Sequence, residues 1–305
     1  MAAVRGNFQA ELDPAVRAIF FDRYDEEPQM MPMVFNVLTS SMDSEKDSAT
    51  TGFGQLVQTS ELGALDYEDP VKMYSTTYTH LKYTKGFKVS QELMEDDQHN
   101  VIAKMARALA KSVVYSTETV SANVLNNAFT TTATSYGDGK PLASTSHTRA
   151  DGGTAQSNAS STGITLTENN LETGRLALEK ILNDKGQIVN LQAKDLVIPV
   201  DLRKTAQILA ESSLRPGTAN NDVNVYEGIF RVLAWRYITS TTAWFLMDSA
   251  NHLLQYFWRV RPEFKSDFNF DADAALYKVR ARFSVGWSDW RGVWGSKGDG
   301  AAYSS

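Results

Sequence analysis

The sequence predicts an α+β fold of elongated outline, and three observations predict it. Residues 71–89 form one long extended segment rich in Thr and Tyr. A helical pattern follows at residues 91–129. From residue 191 onward, short apolar strands alternate with a helix and end in a long alternating strand. The first two pieces outgrow a compact globule. Fully extended, the segment reaches about 60 Å and the helix about 58 Å, against a diameter near ~50 Å for a compact chain of this length. An arm whose partners lie on neighbouring copies resolves the mismatch. That geometry suits a building block more than a catalyst.

The elements follow in order. Phe8, Leu12, Val16, Ile19 and Phe20 recur at helical spacing after Asn7 and predict a short amphipathic helix. Residues 22–28 break it, residues 30–38 read as a strand, and residues 40–51 as a polar, flexible stretch. Residues 52–57 are expected to rise as the first strand of a long hairpin, with its tip near Leu62 and Gly63 and its return from Val71. A hairpin alone is marginal in water. Its aromatic residues therefore call for packing on an adjacent subunit, or else for the hairpin folding back over its own domain. Deleting residues 54–86 is accordingly expected to leave a folded subunit that cannot close an assembly.

Ser90 is a fair N-cap with Glu92 in the first turn. Ile102, Met105, Leu109, Val113, Val120 and Val124 make one apolar stripe, while Lys104, Lys111, Glu118 and Asn123 fall on the opposite face. An interruption is expected around residues 96–100. Residues 130–163, rich in Gly, Ser, Thr and Ala, should hold no core of their own. Thr167 caps a helix to about Asn183, with Gly186 just past its end. A short buried strand at 196–199, a helix capped by Asp201, a polar loop at 212–224 and strands at 229–235, 243–247 and 253–260 come next. The last strand carries Tyr277, Val279, Ala281, Phe283, Val285 and Trp287 on one face and Lys278, Arg280, Arg282 and Ser284 on the other.

Composition narrows the function. The 305-residue chain can bury one large core or two domains. A net charge of −6 argues against a dedicated nucleic-acid binder, though not against enclosing nucleic acid without gripping it. With no cysteine, neither a disulfide nor a thiolate metal site can form. The four histidines, His80, His99, His147 and His252, show no zinc-ligand spacing. Residues 1–12 lack a basic stretch followed by an apolar one, so no signal peptide is expected. No apolar run approaches about 20 residues, so no membrane partner is expected either.

Ser144, Ser146, His147, Asp138 and Asp151 crowd one loop and suggest a hydrolase. No GxSxG elbow accompanies them, and a flexible loop holds such groups poorly. Glu95, Asp96 and Asp97 with His99 suggest a cation site, but adjacent acids on a helix do not share a face. Asn158-Ala159-Ser160 matches a glycosylation acceptor by chance. No phosphate-binding loop or dinucleotide fingerprint occurs. Trp287, Trp290 and Trp294 read as core packing rather than a sugar or base platform. The row Lys278, Arg280, Arg282 reads two ways, as a phosphate contact or as a partner for carboxylates across subunits. The expectation is a non-enzyme without cofactor or metal.

Local text then suggests a family. Asp138-Gly139-Lys140-Pro141-Leu142, followed by Ser146-His147, Gly152-Gly153 and Asn158, resembles the Mu-like phage major head subunit group. So do Leu166-Thr167-Glu168-Asn169-Asn170-Leu171-Glu172, Asp195-Leu196-Val197-Ile198-Pro199 and Asn220-Asn221-Asp222-Val223-Asn224. The ending Val279-Arg280-Ala281-Arg282, Gly286, Trp290, Gly292 and Val293 also fits, whereas the first fifty residues carry no family signature. The resemblance implies the tailed-phage major capsid fold, which encapsulins share. Its parts would be an N-terminal arm (1–50), an extended hairpin loop (51–89), a peripheral domain with spine helix and glycine-rich loop (90–191), an axial domain (192–265), and return strands with a C-terminal tail (266–305). It implies self-assembly through hexamers and pentamers into an icosahedral shell enclosing phage double-stranded DNA. A separate scaffold protein, a portal, and assembly in the host bacterial cytoplasm would go with it. The alternative is an encapsulin-like nanocompartment. Phe53, Leu56, Tyr74, Tyr78 and Tyr83 of the hairpin, and Arg215, Asn220 and Asn221 of the axial loop, are the expected inter-subunit contacts.

Overall fold

The computed structural model describes residues 6–70, 72–96, 100–130, 136–149, 152–214 and 223–302. One four-stranded sheet runs in the order β1 (Asn36–Thr39), β8 (Leu254–Asn269), β9 (Ala274–Trp287), β4 (Leu81–Ser90). Its long β8–β9 pair is antiparallel, and β1 joins parallel at the edge. Alternation along β9 decides what the sheet covers. Tyr277 and Val279 point to one side, where Phe264 of β8 and Val89 of β4 join them. Two helices close that side: α1 (Gly6–Glu26), through Val16 and Phe20, and α4 (Val101–Asn126), through Ile102, Ala106, Leu109 and Val113. Spacing of three and four residues puts those α4 side chains on one stripe. Each fully buried side chain of this size contributes about 1.5–3 kcal/mol by leaving water.

The second sheet has the order β10 (Val293–Ser296), β7 (Trp244–Met247), β5 (Asp195–Ile198), β6 (Arg231–Ala234). Every residue of β10, β7 and β5 is buried. Continuous apolar runs such as Trp244-Phe245-Leu246-Met247 suit strands covered on both faces. Helices α5 (Glu168–Glu179) and α6 (Arg203–Glu211) supply part of that cover.

Several expectations change in three dimensions. Residues 71–89 are not one free strand. β3 (Lys72–Thr79) pairs with β2 (Ser44–Thr50), whereas β4 pairs with β9. The stretch expected to be flexible is thus the ribbon partner of β3, and residues 52–57 form no strand. His80 marks the change of sheet. It is buried, with Nε2 3.1 Å from Ser40 Oγ and Nδ1 2.9 Å from Ser284 Oγ. Residues 30–38 give the short helix α2 (Met31–Val34) before β1, because the Pro at its start fixes a helical φ. The 91–129 pattern breaks into α3 (Gln91–Glu95) and α4. Ser90 and Thr167 cap α3 and α5 by accepting from Leu93 N and Asn170 N. Asp201 caps nothing: it lies in a 3-10 turn, and Leu202 precedes α6 without a side-chain cap. Gly186 sits in the 183–187 turn rather than behind α5. The division at residue 265 falls inside β8, and β10 returns to the second sheet, so residues 254–296 tie the two sheets together.

Two glycines of one turn make a paired prediction. Gly137 has φ +56°, and a Cβ there would lie 2.1 Å from the Trp287 ring. Gly139 has φ +77° with nothing within 4 Å of a Cβ. Gly139→Ala should cost about 1–2 kcal/mol for its left-handed backbone alone. Gly137→Ala should cost clearly more, since the fully buried Trp287 ring must shift as well. Equal denaturant midpoints for the two variants would contradict the placement of this turn.

Candidate assembly interface

Between β2 and β3 the chain leaves its own body. Residues 52–70 are almost wholly exposed and contain no regular element. Phe53 is 64% exposed, Leu56 96%, Leu62 103% and Tyr67 87%, which is unfavourable for side chains of this kind in water. The base of this limb is fastened: Gly54 N–H donates to Glu68 Oε2 at 2.6 Å, and Lys185 Nζ pairs with Glu68 Oε1. The two ends of the limb are thereby held beside the 183–187 turn.

The expected contact residues divide. Phe53 and Leu56 lie on the limb and are free to meet another copy. Tyr74 is half-buried on β3, near Asp289, Arg291, Asp184 and Asp138, and burial pushes its phenol up. Tyr78 is fully buried in its own chain, its hydroxyl 2.7 Å from Ser288 Oγ. Tyr83 stacks on Phe283 at 4.4 Å. Both rings find packing within the chain: Tyr78 against Tyr136 and Phe257, and Tyr83 through the β4–β9 pairing. Tyr78 is therefore enclosed by its own chain, whereas Tyr83 stays half-buried. Arg215, Asn220 and Asn221 lie outside the described residues, as do Asp97, His99 and Asp151.

The suspected hydrolase loop is a structural knot. His147 is fully buried, stacked 4.1 Å from Trp290, with Nδ1 2.9 Å from Asp138 Oδ2. Its Nε2 donates to Asn158 Oδ1 at 3.0 Å, so the position a nucleophile would need is taken by an amide. Asn158 is fixed in turn: its Oδ1 also accepts from Ser144 N at 2.8 Å, and its Nδ2 donates to Leu142 O at 2.7 Å and Val293 O at 2.9 Å. Burial raises the Asp138 carboxyl, but the bond and charge of His147 outweigh it and hold the group below its ordinary range. The Gly-rich loop, expected to lack a core, places Leu142, Ala143 and Ala159 in the main apolar cluster. Trp287, Trp290 and Trp294 are buried there as well.

A larger open groove, about 690 Å³, is lined by Pro32, Asn36, Arg231 and His252 among others. Lys194 and Arg231 both line it, and Arg231 is already engaged, its Nε and an Nη meeting both oxygens of Asp195 at 2.8 Å. Among the described residues, no group of three acidic or histidine side chains could hold a metal ion, and no helix is long and apolar enough to cross a membrane.

Burial pushes the imidazoles of His80 and His252 below their ordinary range. The unfolded chain takes up these protons near pH ~6.5, and the folded chain only at lower pH. Their contribution is therefore intact above about pH 6.5 and is lost as pH falls below it. Glu118, pushed up by burial, works in the opposite sense. Melting of the unassembled subunit between pH 8 and 5 should show a falling transition temperature, with a shallower slope for His80→Gln. An unchanged slope in that variant would remove His80 from the account.

Residues 73–296 match the family described as phage capsid protein. The chain belongs to the phage capsid protein family. The matched span takes in α4, the whole second sheet and every strand of the first except β1, and leaves out α1 and the limb. Solved capsid structures share the fold. The procapsid of bacteriophage JBD30 has 17% identity and a TM-score of 0.53, covering 96% of this chain and 76% of that one. The capsid of the native GTA particle has 13% identity and a TM-score of 0.57, covering 87% and 88%. The virus-like particle from Pyrococcus furiosus has 10% identity and a TM-score of 0.56, covering 92% and 97%. A comparison with curated proteins finds no match. This capsid protein is a shell-forming structural subunit, and its limb stands exposed in the single chain.

Proposed function

We propose that this chain is the major head subunit of a tailed phage or prophage. It assembles through hexamers and pentamers into a closed icosahedral shell around double-stranded DNA, which it encloses without reading sequence. The observation that carries the proposal is the capsid-family span combined with a fastened apolar limb of Phe53, Leu56, Leu62 and Tyr67 that finds no cover in its own chain. Many weak repeated contacts then sum to a stable closed shell. A separate scaffold protein and a portal would act in the host bacterial cytoplasm, and the finished subunit would reside in the virion. Kinship to the Mu-like head subunits rests on the ordered motifs from Asp138 to Val293. Likeness to a virus-like particle favours a second reading, a cellular compartment that encloses protein cargo. Electron microscopy of the expressed chain, with and without its scaffold, should show capsomers, shells or tubes. A strictly monomeric product in both cases would overturn the proposal, and nuclease-protected DNA in native particles would separate the phage head from the compartment.

A further inference from the structure

We propose that the groove between the start of β1 and the entries to β5 and β6 is a docking site for a separate protein, which presents there one carboxylate side chain beside a bulky apolar residue. His252 carries the inference. Its backbone is tied on both sides, with N–H donating to Asp248 O at 3.2 Å and O accepting from Asn36 Nδ2 at 2.9 Å. A Cβ on Gly292 would lie 2.8 Å from its Cα, so the neighbouring turn presses directly against it. The imidazole is fixed too. Nδ1 accepts from Leu254 N–H at 3.3 Å, which leaves the proton on Nε2. His252 is 4% exposed, and it lines the groove. Nε2–H has no acceptor among the described residues. Burial also holds the ring below its ordinary range, so it stands there as a neutral donor near pH ~7. A donor enclosed to this degree and left unmatched is costly and uncommon in a folded chain.

The rest of the lining says which acceptor fits. Lys194 and Arg231 stand at the groove against one acid, Asp195, and Asp195 is already held by Arg231. Lys194 is exposed and forms no ion pair among the described residues. Its backbone is nevertheless fixed, with N–H donating to Met247 O at 2.9 Å and O accepting from Arg231 N–H at 2.7 Å. The lining therefore carries one positive charge in surplus beside a neutral donor. A single carboxylate answers both, since it accepts from Nε2–H and offsets the ammonium. Met33, Phe35, Ile229 and Phe230 supply apolar walls, and Met33 and Ile229 are exposed in the single chain. They suit a bulky side chain next to the acid. A further hollow of about 400 Å³ shares Lys194 and Ile229 with the groove. The pair offers room for successive residues of an extended peptide rather than for one small molecule. Docking of this kind adds a second protein to the subunit and does not depend on shell closure.

Two probes read the site on the unassembled subunit by nuclear magnetic resonance: the acetylated, amidated tripeptide Phe-Glu-Leu and its neutral counterpart Phe-Gln-Leu. The acidic probe should move the Nε2 resonance of His252 and bind about tenfold more tightly than the neutral one, because hydrogen bonds to charged groups are the stronger kind. Lys194→Met, at an exposed position, should cut that preference to about threefold or less. His252→Asn should do the same, since Asn still accepts from the Leu254 N–H two residues on but is too short to enter the groove. Thermal melts of both variants should match the unaltered chain. Equal binding of the two probes, binding by neither, or binding that leaves the His252 resonance unmoved overturns the proposal. So does loss of probe binding once this chain alone has formed shells, because a second copy then fills the groove. A chain that docks the acidic probe yet never assembles would sink the shell-subunit reading and leave the docking site standing.

Discussion

Replacing residues 55–67 by two glycines should leave a folded, soluble subunit that forms no closed shell. Gly54 and Glu68 are already joined by a 2.6 Å hydrogen bond, so a short bridge can reconnect the chain without moving β2 or β3. Nothing buried is removed, since the excised residues are exposed. The melting transition should therefore stay within about 0.5 kcal/mol of the unaltered chain, as for surface changes generally. The loss should appear in sedimentation and electron microscopy, as capsomers or monomers in place of shells. Normal particles from this variant would strip the limb of its assembly role. The wider excision of residues 54–86, suggested by sequence, would instead remove β3 and the first six residues of β4, and with them the pairing of Tyr83 onto β9. That variant should not fold.

Glu118→Ala is expected to be the most damaging single change in the spine helix. Glu118 is 1% exposed. Its Oε1 accepts from Met30 N at 2.8 Å and Met31 N at 2.9 Å, and its Oε2 from Trp235 Nε1 at 2.6 Å. One carboxylate thus joins α4 to the start of α2 and to the end of β6. Removing it strands two buried donors and the part-buried Met30 N–H, and a buried donor left unpaired costs about 1–3 kcal/mol. A loss of about 3 kcal/mol or more follows, or roughly 6–12 °C in melting temperature. Glu118→Gln should lie between, because an amide keeps one oxygen but turns an NH2 group toward a donor. Denaturant melts of both variants check this, and a Glu118→Ala variant within 1 kcal/mol of the unaltered chain would refute it.

What the sequence made legible was local and periodic. The two-residue alternation from Tyr277 to Phe283, the apolar runs at 196–198 and 244–247, and the Ser90 and Thr167 caps all signal through neighbours in the chain. The ordered motifs from residue 138 to 293 added the capsid family. The strand Ser44–Thr50 escaped notice because its text, Ser-Glu-Lys-Asp-Ser-Ala-Thr, has no apolar period and becomes a strand only beside β3. Glu118 was placed on the solvent face because a helix pattern carries charge but not the position of distant donors such as Trp235 Nε1. Limb assignment shifted for the same reason: residues 72–90 and 52–70 both look extended, and only pairing with β2 and β9 decides which one is free.

By itself, then, the sequence determined the strongly periodic elements, their apolar faces and the family, because propensity and period act over a few residues. Which extended stretch is covered, which charges are buried and which stand unmatched on a surface were decided by tertiary structure alone. Those properties depend on partners more than a hundred residues away, as between Glu118 and Trp235 or Tyr78 and Ser288, and no local pattern encodes them.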